Sequence, residues 1–245
     1  LSGDYFVDTT ADYQVIASQA SIPGRPSKPE LVDPKTVGMR SVHTEEGRAI
    51  LLHAIAHIEF NAINLHLDIA WRFPNQPIEF YLDWLKVAKE EAKHFRLLRQ
   101  RLGAMGYDYG VYTAHNGLWE MAEKTNDDLL ARLALVPRTL EARGLDVTPG
   151  IQNRLAQAGD DKSVAVLDII LAEEVGHVDI GNRWYLIECQ KQQLDPIEAY
   201  AALLKKHDVA NPKGPFNKAA RKQAGFSDEE LAWLDSLDSS ARKPQ

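Results

Sequence analysis

Two short stretches, KEEAKHFRLL at 89–98 and AEEVGHVDIG at 172–181, each place a pair of acids just ahead of a histidine. In both, the second acid stands three residues before the imidazole: Glu91 with His94, and Glu174 with His177. On an α-helix, residues at i and i+3 share a face with Cβ atoms about 5–6 Å apart. Either pair can therefore offer one carboxylate oxygen and one ring nitrogen to the same metal ion. Spacing alone is a weak signal. With 35 acids in 245 residues, about one of the eight histidines should follow an acid at this distance by chance.

The surroundings strengthen it. Glu174 ends VAVLDIILAEE, an apolar run whose face should point into a core. Ionised carboxylates are seldom buried unless paired or bound to metal. Two further acids interrupt apolar stretches in the same way: Glu59 in LLHAIAHIEFNAINL and Glu141 in LALVPRTLEARGL. Glu59 precedes Glu91 by 32 positions, and Glu141 precedes Glu174 by 33. The chain thus reads acid, acid-x-x-His, acid, acid-x-x-His. Four carboxylates carry a formal charge of about −4, which two divalent ions would neutralise inside a core. Oxygen-rich ligation with two imidazoles suits iron or manganese better than thiol-seeking metals.

These residues need helices to hold them. Thr44 before Glu45 and Glu46 is a helix start, with Gly47 a minor blemish, and the pattern runs to about Phe73, where Pro74 and Pro77 end it. A second helix is expected over about 77–102, with Gly103 beyond its end. GAMGYDYGVYTAHN, residues 103–116, reads as a connector long enough to cross a bundle. A third helical region is expected over 117–143, re-started at Asn126 and kinked at Pro137, with GLDVTPG separating it from a short helix at 149–158. A long fourth helix follows over 160–192, then short ones near 196–206 and 227–237 around a basic, turn-rich stretch. No segment alternates as an exposed strand does, so the class is all-α. Residues 1–44, with Pro23, Pro26, Pro29 and Pro34, read as an extended arm. Residues 45–192 read as a helical bundle, and 193–245 as a helical appendage packed on it.

Composition limits the alternatives. The net charge of -7 argues against a nucleic-acid-coating surface. No apolar run is long enough to span a membrane. LSGDYFVDTT lacks the basic start and apolar core of a secretory leader. The single cysteine, Cys189, excludes an internal disulfide or a Cys-x-x-Cys metal knuckle and fits a reducing interior, so a cytoplasmic location is expected.

The order of the acids and histidines resembles that of the ferritin-like superfamily, whose di-iron carboxylate bundles take one Glu from each of two helices and a Glu-x-x-His from each of the other two. HAIAHIEFNAINLHLDIAWRF, PRTLEARGLDVTPG and GPFNKAARKQAGFS carry a closer similarity, to a bacterial ferritin-like family known only as a domain of unknown function. Glu-Ala-Arg at 141–143 is also similar to the di-iron hydroxylase that modifies a tRNA adenosine. The resemblance implies a ferritin-like four-helix bundle with Glu59, Glu91, His94, Glu141, Glu174 and His177 as ligands to two iron ions, or to iron and manganese, or to manganese. It implies an oxidoreductase that uses O2 to hydroxylate or oxidise a small organic substrate, supplied with electrons by a reductase or other donor. No catalytic residue outside the metal site is assigned. A non-catalytic, iron-handling protein is the alternative, and acids paired only with one another a third. A peroxidase with a rubredoxin tail is excluded by the one cysteine. The arm and appendage suit a monomer or small oligomer better than a storage shell.

Glu90 and Glu173, directly before two of the ligands, resemble the acids that back the ligands in bacterial multicomponent monooxygenases; solvated helix-face charges are the plain alternative. His53 and His57 do not share the face of Glu59 and are expected to make hydrogen bonds only. His66, seven residues after Glu59, is about 10.5 Å along the axis, too far to be a ligand, and is placed along a channel. Trp84 and Trp184, each seven residues from a ligand, are expected in the core, as is Cys189. Lys213, Lys218, Arg221 and Lys222 form either an attractor for an anion or an ordinary solvated surface.

Overall fold

The computed structural model describes residues 8, 23–36 and 41–241, with the side chains of 238–241 outside the description. Among the described residues the chain is helical and has no strand; a lone bridge joins Leu31 to Ala114. It divides into two compact units, Leu1–Trp119 and Glu120–Gln245. No described helix is long and apolar enough to cross a membrane.

The first unit is built on α1 (Glu45–Arg72) and α2 (Ile78–Ala104). Thr44 caps α1 through its Oγ1, which accepts from the Gly47 amide at 3.0 Å. Gly47 is a requirement rather than a blemish, because a Cβ there would lie 1.8 Å from the Ser41 carbonyl oxygen. Only five residues join the two helices, so they must run antiparallel. Ala49, Leu52, Leu65, Trp84, Leu98 and Leu102 are among the side chains sealed in this unit. Residues 103–116 turn back onto α1: the Gly110 amide donates to His53 Nε2 at 2.9 Å, and Tyr109 Oη bonds His57 Nδ1 at 2.8 Å. Gly110 takes φ +99, which a side chain would resist, and Lys28 lies against its α-carbon. Of the expected N-terminal arm, Glu30 to Val32 is extended and bonded to Ala114 at 2.8 and 3.0 Å. Residues 1–7, 9–22 and 37–40 of that arm lie outside the described residues.

In the second unit, α6 (Asp161–Lys191) occupies the span expected of it and is capped by Asp160. The partner region departs from expectation. It comprises α3 (Gly117–Lys124), α4 (Leu129–Leu135), a π-helical turn (Val136–Glu141) and α5 (Ala142–Gln157). Asp128, not Asn126, caps α4, its carboxylate accepting from the Ala131 amide at 2.9 Å. Pro137 widens the helix into the π turn instead of merely kinking it. GLDVTPG, expected to break the chain, lies inside α5. Pro149 lacks the amide that would bond the Leu145 carbonyl, and the Asn217 side chain supplies the missing donor at 3.2 Å.

That repair comes from the C-terminal segment: α7 (Pro196–Lys206), α8 (Lys218–Gln223) and α9 (Asp228–Ala241). Helix α8, whose N-cap is the same Asn217, falls in a stretch expected to be turn-rich. The basic stretch around it is largely neutralised. Arg221 is buried on Asp146 at 2.7 Å, Lys218 meets Asp235 and Lys222 meets Asp228, both at 2.5 Å. An anion attractor is therefore ruled against in favour of ordinary pairing.

Two outcomes follow from the second unit. A Cβ on Gly181 would lie 2.4 Å from Pro137 Cβ, so Gly181→Ala should destabilise by about 1–3 kcal/mol through overpacking. Relief of a helical glycine alone would stabilise by about 1 kcal/mol; urea denaturation gives the sign. Burial alone would raise the pKa of Asp128, but the Ala131 amide and the Lys206 ammonium outweigh it and hold the carboxyl below 3.8. A lowered folded pKa means that this stability is present above the unfolded value of about 4 and is lost as pH falls through the folded one. Asp128→Ala should therefore cost about 1 kcal/mol at neutral pH, with the gap to wild type closing as denaturation is repeated toward pH ~3.

Candidate metal centre

Each Glu-x-x-His motif lies within one long helix, and the two motifs have the same internal geometry. On α2, His94 Nδ1 stands 3.4 Å from a Glu91 oxygen; on α6, His177 Nδ1 stands 3.4 Å from a Glu174 oxygen. Both histidines and Glu91 are sealed from solvent, and the Glu174 carboxylate is only 13% exposed. Two donors that each sit about 2.1 Å from a common ion, about 110° apart, are themselves about 3.4 Å apart. The spacing within each motif thus matches that of neighbouring ligands on one cation.

Within α1 and α2 the antiparallel course brings Glu59 to His94, its carboxylate accepting from Nδ1 at 3.2 Å. Glu59 is 5% exposed, and His94 Nδ1 faces the carboxylates of both Glu59 and Glu91. Glu141 ends the π turn in the second unit and is also buried. Glu120 and Glu123 of α3 are exposed, which leaves Glu141 as the buried acid of that region. Glu91, His94, Glu174 and His177 form a group that could hold a metal ion, their ligand atoms lying within 4.8 Å of one another. Glu59 and Glu141 are outside that group of atoms.

The donor set fits a hard or borderline divalent cation. It offers carboxylate oxygens and two imidazole nitrogens and no thiolate, since Cys189 is buried elsewhere on α6, its thiol pushed up by burial. Acids this close and this buried repel one another and have lost water, a cost of several kcal/mol per ion that a bound cation would offset.

His66 is placed differently from the expected channel. It is buried, its Nδ1 lies 3.9 Å from Glu91, and its ring stacks on Trp84 with centroids 5.3 Å apart and planes 7° apart. Distance along α1 was the wrong measure. The step of seven residues from Glu59 to His66 runs opposite to the step from Glu91 back to Trp84, so the antiparallel pair brings both to one level. Trp84, Trp184 and Cys189 are core residues, as expected. His53 and His57 serve hydrogen bonds to 103–116, and burial pulls the pKa of His57 down to about 4, keeping it neutral. Glu90 and Glu173 are half-buried.

No solved structure matches the chain. A Haemophilus influenzae protein, described only as an uncharacterised protein, is 51% identical over 230 residues, covering 91% of this chain and 80% of its own length. A family model matches residues 5–232. That model's description is "Protein of unknown function (DUF455)", and the chain belongs to that family.

Proposed function

We propose that the chain is a two-metal carboxylate oxidoreductase of the ferritin-like four-helix type, which uses O2 to hydroxylate or oxidise a small organic substrate. The observation that carries the reading is the paired geometry: two Glu-x-x-His motifs with matching 3.4 Å contacts and a common group of donors within 4.8 Å. In this reading Glu59, Glu91, His94, Glu141, Glu174 and His177 would hold the two ions. Iron, alone or with manganese, would supply the electrons that reduce O2.

The chain's own residues orient and enclose. Glu59 holds the His94 ring so that Nδ1 faces the carboxylates. His66 and Trp84 wall the Glu91 side with stacked rings and keep water from that carboxylate. A low-dielectric wall of this kind strengthens every charge interaction inside it. An external electron donor is required for turnover, and a storage shell is not.

Protein loaded anaerobically with ferrous iron should hold near two ions per chain by elemental analysis. With a reductant it should consume O2 while accumulating no further iron. Glu91→Ala should abolish both the loading and the O2 uptake. A folded sample that takes up no metal overturns the reading. Uptake of tens of irons per chain in a shell-sized particle replaces it with storage, and two ions without O2 uptake replaces it with non-catalytic metal handling.

Metal bound only by the folded state stabilises it by mass action. The thermal midpoint of the loaded protein should exceed that of the metal-free protein by several degrees at neutral pH. Equal midpoints would mean that the buried acids are unrelated to metal.

A further inference from the structure

Arg138 lies three residues before Glu141 in the π turn and is 2% exposed, one of the largest fully buried side chains. Its Nη1 donates to Asn182 Oδ1 of α6 at 2.8 Å, and its Nη2 donates to the Glu230 carboxylate of α9. The other Glu230 oxygen accepts from the Ser227 amide at 2.8 Å. The rings of Tyr185, Phe226 and Tyr200 lie 4.7, 4.7 and 5.2 Å from the guanidinium carbon. Its neighbours are held as firmly. Thr139 Oγ1 bonds Tyr200 Oη of α7 at 2.7 Å, and Pro137 packs where Gly181 leaves no side chain. Three successive residues of the turn are clamped, and only Leu140 stands between them and Glu141.

Stability alone does not call for such a residue. A buried ion pair can often be replaced by apolar groups at no loss, and a π turn is less favourable than regular helix. What the planar, forked guanidinium provides is a fixed geometry, since it is bound at both Nη nitrogens and stacked by rings. We infer that Arg138 is a positioning residue through which Glu230 of α9 sets the π turn and so determines where Glu141 presents its carboxylate. The inference rests on the proposed assignment of Glu141 as a metal ligand. It makes α9, distant in sequence, part of the support of the metal centre.

The test is anaerobic ferrous titration by calorimetry, well below the melting temperature, on wild type, Glu230→Gln, Arg138→Lys, Glu141→Ala and Glu141→Ala/Glu230→Gln, each shown to be folded by circular dichroism. Glu141→Ala should weaken one of two metal equivalents. Glu230→Gln and Arg138→Lys should weaken that same equivalent about 10–100-fold and leave the other unchanged. The double variant should bind no more weakly than Glu141→Ala alone, because both changes remove one ligand's contribution. If Glu141→Ala loses one equivalent while Glu230→Gln and Arg138→Lys bind as wild type and only melt earlier, the clamp is structural and the inference fails. Equal weakening of both equivalents in the clamp variants overturns it as well. Wild-type binding by Glu141→Ala overturns the assignment of Glu141 and the clamp together.

Discussion

A carboxylate removed from water needs a cation, and the group of Glu91, His94, Glu174 and His177 could hold one. Glu59, Glu91, His94, Glu141 and His177 are each sealed from solvent, and Glu174 nearly so. The contacts the protein itself provides, such as Nδ1 of His94 on the carboxylates of Glu59 and Glu91, bring one imidazole to two acids. Helices are what make so costly an arrangement buildable. Along regular helix the backbone groups are bonded within their own segment, so there only the side chains present polar atoms to the core. The i, i+3 spacing then delivers a carboxylate and an imidazole together without any loop having to order itself.

Much of the rest serves to hold irregular backbone beside those side chains. The π turn and Pro149 both leave helical bonding incomplete, and in both places other groups make good the loss. Asn217 bonds the Leu145 carbonyl, and Thr139 Oγ1 donates to the Ala134 carbonyl at 2.8 Å. Arg221 reaches Asp146 and Arg138 reaches Glu230, so two buried guanidiniums tie the C-terminal helices to the segment that carries Glu141. Both are stacked by Phe226, with centroid distances of 4.9 and 4.7 Å. The final fifty or so residues thus add specific, directional contacts at the turn to the apolar side chains they bury, Leu203, Leu204, Phe226 and Leu234 among them.

The sequence made the long helices legible because their periodic apolar faces, caps and prolines agree. Thr44, Pro74, Asp160 and the acids at 91 and 174 could be placed from local chemistry alone. The third region was misread for one physical reason. Proline reports the loss of a hydrogen bond, not what replaces it, and the replacements for Pro149 lie about seventy residues away in the chain. Helix α8 was hidden because its stabilising partners, Asp146 and Asp235, lie 75 and 17 residues from the side chains they bind. The role of His66 was missed because its neighbours depend on the pairing of two helices, not on position along one.

The two halves look alike in sequence, but they reach their acids by different routes. Glu59 lies 13 residues before the end of α1, and Glu91 lies 13 after the start of α2. Equal offsets from a short turn put residues of an antiparallel pair level with one another, which is how Glu59 comes to His94. In the second half, Glu174 lies 13 residues after the start of α6, but Glu141 lies 16 before the end of α5. Three extra residues of helix amount to about 4.5 Å along the axis. The regular backbone of α5 thus leaves Glu141 displaced from the level of Glu174 by nearly a turn. A π turn ending at that residue changes both rise and rotation over its six residues. Those six residues end at Glu141 and leave its offset along α5 unchanged, so the turn and its clamps bear on how the chain enters at Glu141 rather than on its level.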